Sequence, residues 1–144
     1  MQTDSRNIEH LLPEILAGTA GPVQINALVR IAHHFAVIRL KQLVSSGRLH
    51  LQSFPLTVES IAFDCIAEIF ERDSEGSFIE LAEFFSGERA LPLLDRDTAV
   101  IHFRSLIFTK LNDGIFRLYR ENDPVLSKIL RNIKLSLDKL PQFN

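Results

Sequence analysis

The sequence predicts an all-α fold, a single domain over residues 1–144 built as an orthogonal or irregular bundle of five or six helices. Three observations predict it. Apolar side chains recur at helical spacing over most of the chain. Helix start and stop residues punctuate it at plausible intervals. The one briefly alternating segment, RLHLQSFP at 48–55, has no second strand to pair with and reads as a connector.

The first expected helix, 8–17, is short, with Ile8, Leu11, Leu12, Ile15 and Leu16 on its apolar side. Pro13 predicts a kink or a late start there. GTAGP at 18–22 is a loop by composition, and Pro22 suits the first turn of a long helix over 23–45. On that helix Ile25, Leu28, Ala32, Phe35 and Leu43 share an arc. Ile31 and Ile38 flank it on one side, Val29 and Ala36 on the other. Gly47 is the expected C-terminal cap.

Thr57 is a fitting N-cap for a third helix over 58–72, whose apolar arc contains Ile61, Ala62, Cys65, Ile66 and Ile69. DSEG at 73–76 is a turn. Ser77 and Glu80 then form an S-x-x-E capping box that opens a fourth helix ending near Phe85. Pro92 makes 88–97 irregular, although Leu91, Leu93 and Leu94 call for cover.

The window 100–120, capped by Asp97 or Thr98, is expected to be central, with the helices at 23–45 and 58–72 packed on it. Val100, Phe103, Ile107, Leu111, Ile115 and Leu118 fall in one arc with Gly114, and Ile101, Phe108 and Tyr119 widen it. A helix so broadly apolar belongs between others. Gly114 costs about 1 kcal/mol of helix propensity against Ala, so its place in the arc predicts a close approach by a neighbouring backbone. Asp123 and Pro124 restart the chain as a last helix ending before Pro141, with Val125, Ile129, Ile133 and Leu137 in a row.

Arg39 and Arg104 stand inside apolar arcs. Either each is a snorkelling stem with its head at the edge, or each forms a partly buried ion pair, Asp64 and Glu68 being the carboxylates in reach.

Net charge is −2, unevenly distributed. Residues 1–53 carry +2, residues 54–98 carry −8 and residues 99–144 carry +4. Such alternation either holds helices together or marks two partner surfaces, the acidic side of the third helix (Asp64, Glu68, Glu71) and the basic last third. There Lys110, Arg117, Arg120, Lys128, Arg131 and Lys134 gather, with Lys128 and Arg131 on one face and Lys134 near it. That face is either solvated or set toward nucleic-acid phosphates.

Few signals point to chemistry. Adjacent His33 and His34 point about 100° apart on a helix and cannot share a metal, while His10, His50 and His102 are isolated. A calcium loop aligned on Gly76 would place Glu71, Asp73 and Glu75 as ligands, but its twelfth position is Ala82, which has no carboxylate. No Gly-rich phosphate loop or G-x-S-x-G motif occurs. No cofactor or metal is expected, and catalysis has no motif to support it. Cys65, the single cysteine, excludes an internal disulfide and reads as a small buried hydrophobe. No apolar run reaches the roughly 18 residues of a membrane span, and the polar start MQTDSRNIEH is unlike a signal peptide. A cytoplasmic location is expected.

Two windows, ESIAFDCIAEIF at 59–70 and FRSLIFT at 103–109, with the long helix over 28–43 before them, resemble region 2 of sigma-70-type factors of the extracytoplasmic-function group. The resemblance implies a small helical bundle that docks on RNA polymerase and melts promoter DNA. The family's polymerase-contacting positions fall on Ser60 and Phe63, where its usual Asp and Gln are missing, and on Asp64, which keeps a carboxylate. About thirty residues separate the windows, more than in the family, and the basic, aromatic run that melts DNA strands is absent.

The function expected from the sequence is a non-catalytic intracellular interaction module, transcription-related if the resemblance holds, with self-association through exposed Phe and Leu as a further expectation. The competing class is a small-ligand binder or enzyme with an interhelix pocket near Arg39, Arg104 or the histidines.

Overall fold

A computed structural model of the chain describes residues 2–51 and 56–122, together with Arg131, Asn132 and Leu135. Among the described residues the fold is all-α: α1 (Gln2–Ala17), α2 (Pro22–Ser45), α3 (Val58–Ala67), α4 (Ile79–Phe84) and α5 (Arg96–Asn122), with 3-10 turns at Glu68–Phe70, Gly87–Arg89 and Leu91–Leu93. No strand occurs among these residues, only an isolated antiparallel bridge between Arg72 and Phe78.

Local chemistry sets the helix ends. After α1, Gly18 takes φ +77° and the Thr19 N–H returns to the Glu14 carbonyl at 3.0 Å. After α2, Gly47 takes φ +77° and the Arg48 N–H returns to the Leu43 carbonyl at 2.9 Å. Both are glycine-terminated Schellman closures, in which only a residue without Cβ reaches the left-handed region cheaply. Pro22 occupies the first turn of α2 as expected. Thr57 caps α3, accepting the Ser60 N–H at 3.1 Å, and the Ser60 hydroxyl accepts the Thr57 N–H at 3.2 Å.

Four boundaries differ from the sequence expectation. α1 starts at Gln2 rather than Ile8 and includes Pro13, so the proline marks no late start. Pro13 and Glu9, the residue whose carbonyl a proline at 13 cannot serve, are both exposed. α3 tightens into a 3-10 turn at Glu68 instead of continuing to Arg72. Ser77 does not cap α4, which starts after Phe78 with no side-chain cap. Instead, Asp73 Oδ1 accepts the Glu75 and Ser77 N–H groups at 2.9 Å each and shapes the preceding turn. α5 is capped by Asp95, whose Oδ1 accepts the Thr98 N–H at 2.8 Å, rather than by Asp97 or Thr98. A hydrogen bond with the Thr98 side chain, followed by that backbone one, holds the Asp95 carboxyl below its usual range. The expected restart at Asp123 and Pro124 and the row Val125, Ile129, Ile133 and Leu137 lie outside the described residues.

α5 is the central helix. It packs on α1, α2 and α3, and its Phe103, Ile107 and Leu111 have no exposed surface. Leu28, Ala32, Ala36 and Leu40 of α2 and Ala62, Cys65 and Ile66 of α3 close around them. α2 and α5 run parallel. Phe35 meets Arg104, Arg39 meets Phe108, and the His50 N–H meets the Tyr119 hydroxyl at 3.3 Å, each pair 69 residues apart. α3 runs antiparallel to both, bringing Glu59 to His33 and Glu68 to Lys110. The expected central arc was too wide at one flank, since Ile101 is 61% exposed, and Leu93, expected to be covered, is 71% exposed.

Gly114 is buried on α5, facing Cys65 of α3. This is the close approach expected from its place in the apolar arc.

Candidate partner-binding surface

The acidic and basic side chains picked out by the sequence do not assemble into one site. Glu68 is already engaged within the fold, because Lys110 Nζ sits 3.1 Å from Glu68 Oε2 and 2.6 Å from Glu80 Oε2. Lys110 therefore leaves the basic surface assigned to it and becomes a bracket joining α5, α4 and the turn after α3. Its side chain is only 15% exposed. Burial alone lowers the pKa of this ammonium, but hydrogen bonds and charge from Glu80 and Glu68 outweigh that and raise it above a free lysine's. Glu80, read as half of a capping box, thus serves a tertiary pair instead.

Asp64 and Glu71 are exposed, as is Arg131. Lys128 and Lys134 lie outside the described residues.

Arg39 and Arg104 form no ion pair with Asp64 or Glu68, which corrects that expectation. The ion pairs among the described residues are those of Lys110 and a surface pair between Arg96 and Asp97. The Arg39 guanidinium lies 5.4 Å from the Phe108 ring centre, and that of Arg104 lies 5.1 Å from that of Phe35. These are reciprocal cation–π contacts between two parallel helices. Arg104 is exposed and Arg39 half-buried, so neither charge has to be fully desolvated.

Cys65 is buried, and that burial pushes its thiol up to about 11, against the opposing charge of Arg117. The thiolate is scarce near neutral pH, so a nucleophilic role does not suit it.

A surface groove lies between α2 and α3. It is open, has a volume of about 550 Å³ and is lined by Val29, Arg30, His33, His34, Val37, Glu59 and Phe63. Residues 29, 33 and 37 are spaced by four on α2, with 30 and 34 as a second row beside them, and residues 59 and 63 are spaced by four on α3. His33 Nε2 lies 2.9 Å from the Glu59 carbonyl oxygen, and its ring meets Phe63 edge-on at 6.0 Å. Phe63 is held from beneath but is still 56% exposed. Sequence reasoning weighed His33 as a metal candidate and, with the other histidines, as possible lining of an interhelix pocket. The two four-residue spacings were visible, but pairing them needed the relative placement of α2 and α3.

Among the described residues no group of three or more His, Cys, Asp or Glu side chains is disposed to hold a metal ion. No helix among them is long and apolar enough to cross a membrane. Comparison with protein-family models, with curated proteins and with solved structures finds no match to this chain.

Proposed function

We propose that this chain is a non-catalytic intracellular interaction module that docks a protein partner through the outer face of α3, with Phe63 as its apolar anchor. The observation that carries this reading is an aromatic ring 56% exposed on a capped helix and steadied by His33. Aromatic side chains pre-organised in this way are the usual energetic centres of protein interfaces. Ser60 and Asp64 flank Phe63 and are exposed. The same three positions are those that the sigma region 2 resemblance assigns to polymerase contact. That coincidence supports the narrower reading, a transcription-related module in the cytoplasm with RNA polymerase as partner. Nucleic-acid binding by the basic last third has less support now that Lys110 is engaged by two carboxylates.

The test is co-purification of the tagged chain from a lysate of the source organism, with mass spectrometry after a high-salt wash. Phe63→Ser and Asp64→Lys are the right variants, since reversing Glu68 would also break its contact with Lys110. RNA polymerase subunits recovered with the parent and lost with both variants support the narrow reading. Recovery without polymerase subunits retires it, and partners retained by both variants retire the α3 face.

A second reading, a small-ligand site, is favoured by the same groove, which gathers His33, His34 and Arg30 around an apolar floor. It predicts thermal stabilisation by a small anionic ligand that Arg30→Ala abolishes.

A further inference from the structure

Between Glu14 and Glu59 the chain has no Asp or Glu, yet Arg30, Arg39, Lys41 and Arg48 fall in that stretch. α2 is thus a helix without carboxylates, and it lies beside α3, whose exposed side carries Glu59 and Asp64. On the groove between them the two rims have opposite sign. Its α2 side carries Arg30 beside Val29, Val37 and the histidines, and its α3 side carries Glu59 one turn from Phe63. Both Arg30 and Glu59 are exposed, and neither takes part in the ion pairs formed among the described residues.

A surface with a positive side, a negative side and apolar residues on both complements its own half-turn rotation. Turned about an axis through the groove, the α2 side of one copy lies over the α3 side of the other, twice over, while the apolar residues meet. A single-sign patch would repel its own image, so this charge pattern is the self-complementary kind that a two-fold interface requires. We propose that the α2–α3 groove pairs with a second copy of this chain. In that dimer Phe63 of each copy seats in the groove of the other, and each Arg30 faces the other copy's Glu59. The pairing covers the outer face of α3, so it competes with docking of any other protein there. It stands or falls on the purified chain alone, whatever the partner's identity.

The experiment is sedimentation equilibrium of the purified full chain from micromolar to near-millimolar concentration, at low and high salt. It uses the parent, Arg30→Glu, Glu59→Arg, an equimolar mixture of those two variants, and Phe63→Ser, with circular dichroism confirming that each retains its helicity. The parent is expected to show a reversible monomer–dimer equilibrium that weakens with salt. Each charge reversal alone raises the dissociation constant by about tenfold or more. The mixture regains dimer, because both cross-contacts of the mixed pair again join opposite charges. Phe63→Ser raises the constant by about tenfold or more through loss of the anchor. A chain monomeric at every concentration overturns the proposal. So does a dimer indifferent to these substitutions, or a mixture that associates no better than either variant alone.

Discussion

Gly114 of α5 lies so close to Cys65 of α3 that a Cβ at position 114 would overlap the Cys65 Sγ and stand 3.2 Å from its Cβ. The two central helices touch here through one hydrogen atom and one thiol. The glycine is a poor helix former in the middle of the longest helix, and the contact it permits is the reason for its place there.

Gly114→Ala is therefore expected to destabilise the protein. Alanine gains about 1 kcal/mol in helix propensity, but overpacking a filled site costs about 1–3 kcal/mol. Even with the Cys65 sulfur turned aside, its Cβ would stand 3.2 Å from the new methyl, so α3 or α5 must shift and overpacking is expected to win. The expected net loss is up to about 2 kcal/mol in urea unfolding. Cys65→Ala in the same background recovers part of it, which a double-mutant cycle would read as coupling between the two sites.

Lys110→Met is expected to cost about 1–3 kcal/mol, since it leaves Glu68 and Glu80 facing each other without their cation. The folded pKa of Lys110 lies above its free value, so its contribution is complete below the unfolded pKa and is lost as pH rises through the folded one. Parent and variant should differ by a constant amount near neutral pH and converge only in the alkaline range above about 10.5. Urea unfolding from pH 7 to pH 11 measures this. A difference already lost by pH 9 would show that the bracket does not act through the charge on Lys110.

Arg104→Met should be nearly silent by comparison, within about 1 kcal/mol, because an exposed guanidinium over one ring contributes little. Arg39→Met, half-buried over Phe108, should cost slightly more. If Arg104→Met were as damaging as Lys110→Met, the stacked geometry would not describe how α2 and α5 are held.

Cys65 should resist modification by a disulfide reagent near pH 8 in the folded protein and react promptly in urea, because its thiol is buried and titrates only at about 11. Rapid labelling without denaturant would show that the α3–α5 contact opens readily.

Much of the helical scaffold was legible in the chain because its determinants are local. Gly18, Gly47, Pro22 and Thr57 each act within about one turn, and the row Phe103, Ile107 and Leu111 needs only helical spacing to be recognised. The misreadings share a cause. Ser77 and Glu80 satisfy a local capping pattern, but Glu80 finds a stronger partner thirty residues away in Lys110. Arg39 and Arg104 stood out as cations among apolar residues, yet their partners are aromatic rings, set opposite them only because α2 and α5 run parallel. The groove on α2 and α3 was hidden for the same reason. Its rows are visible separately, and nothing local says that they meet.

The most direct test of the α3 face as a docking surface is site-specific photo-crosslinking in a lysate of the source organism. One photoreactive residue replaces Ser60, beside Phe63, and another replaces Glu83, which is exposed on α4. Adducts with a protein other than this chain are expected from position 60, absent from position 83 and abolished from position 60 by Phe63→Ser. Equal crosslinking from both positions, or adducts from position 60 that survive Phe63→Ser, would contradict the assignment of α3 as the docking face.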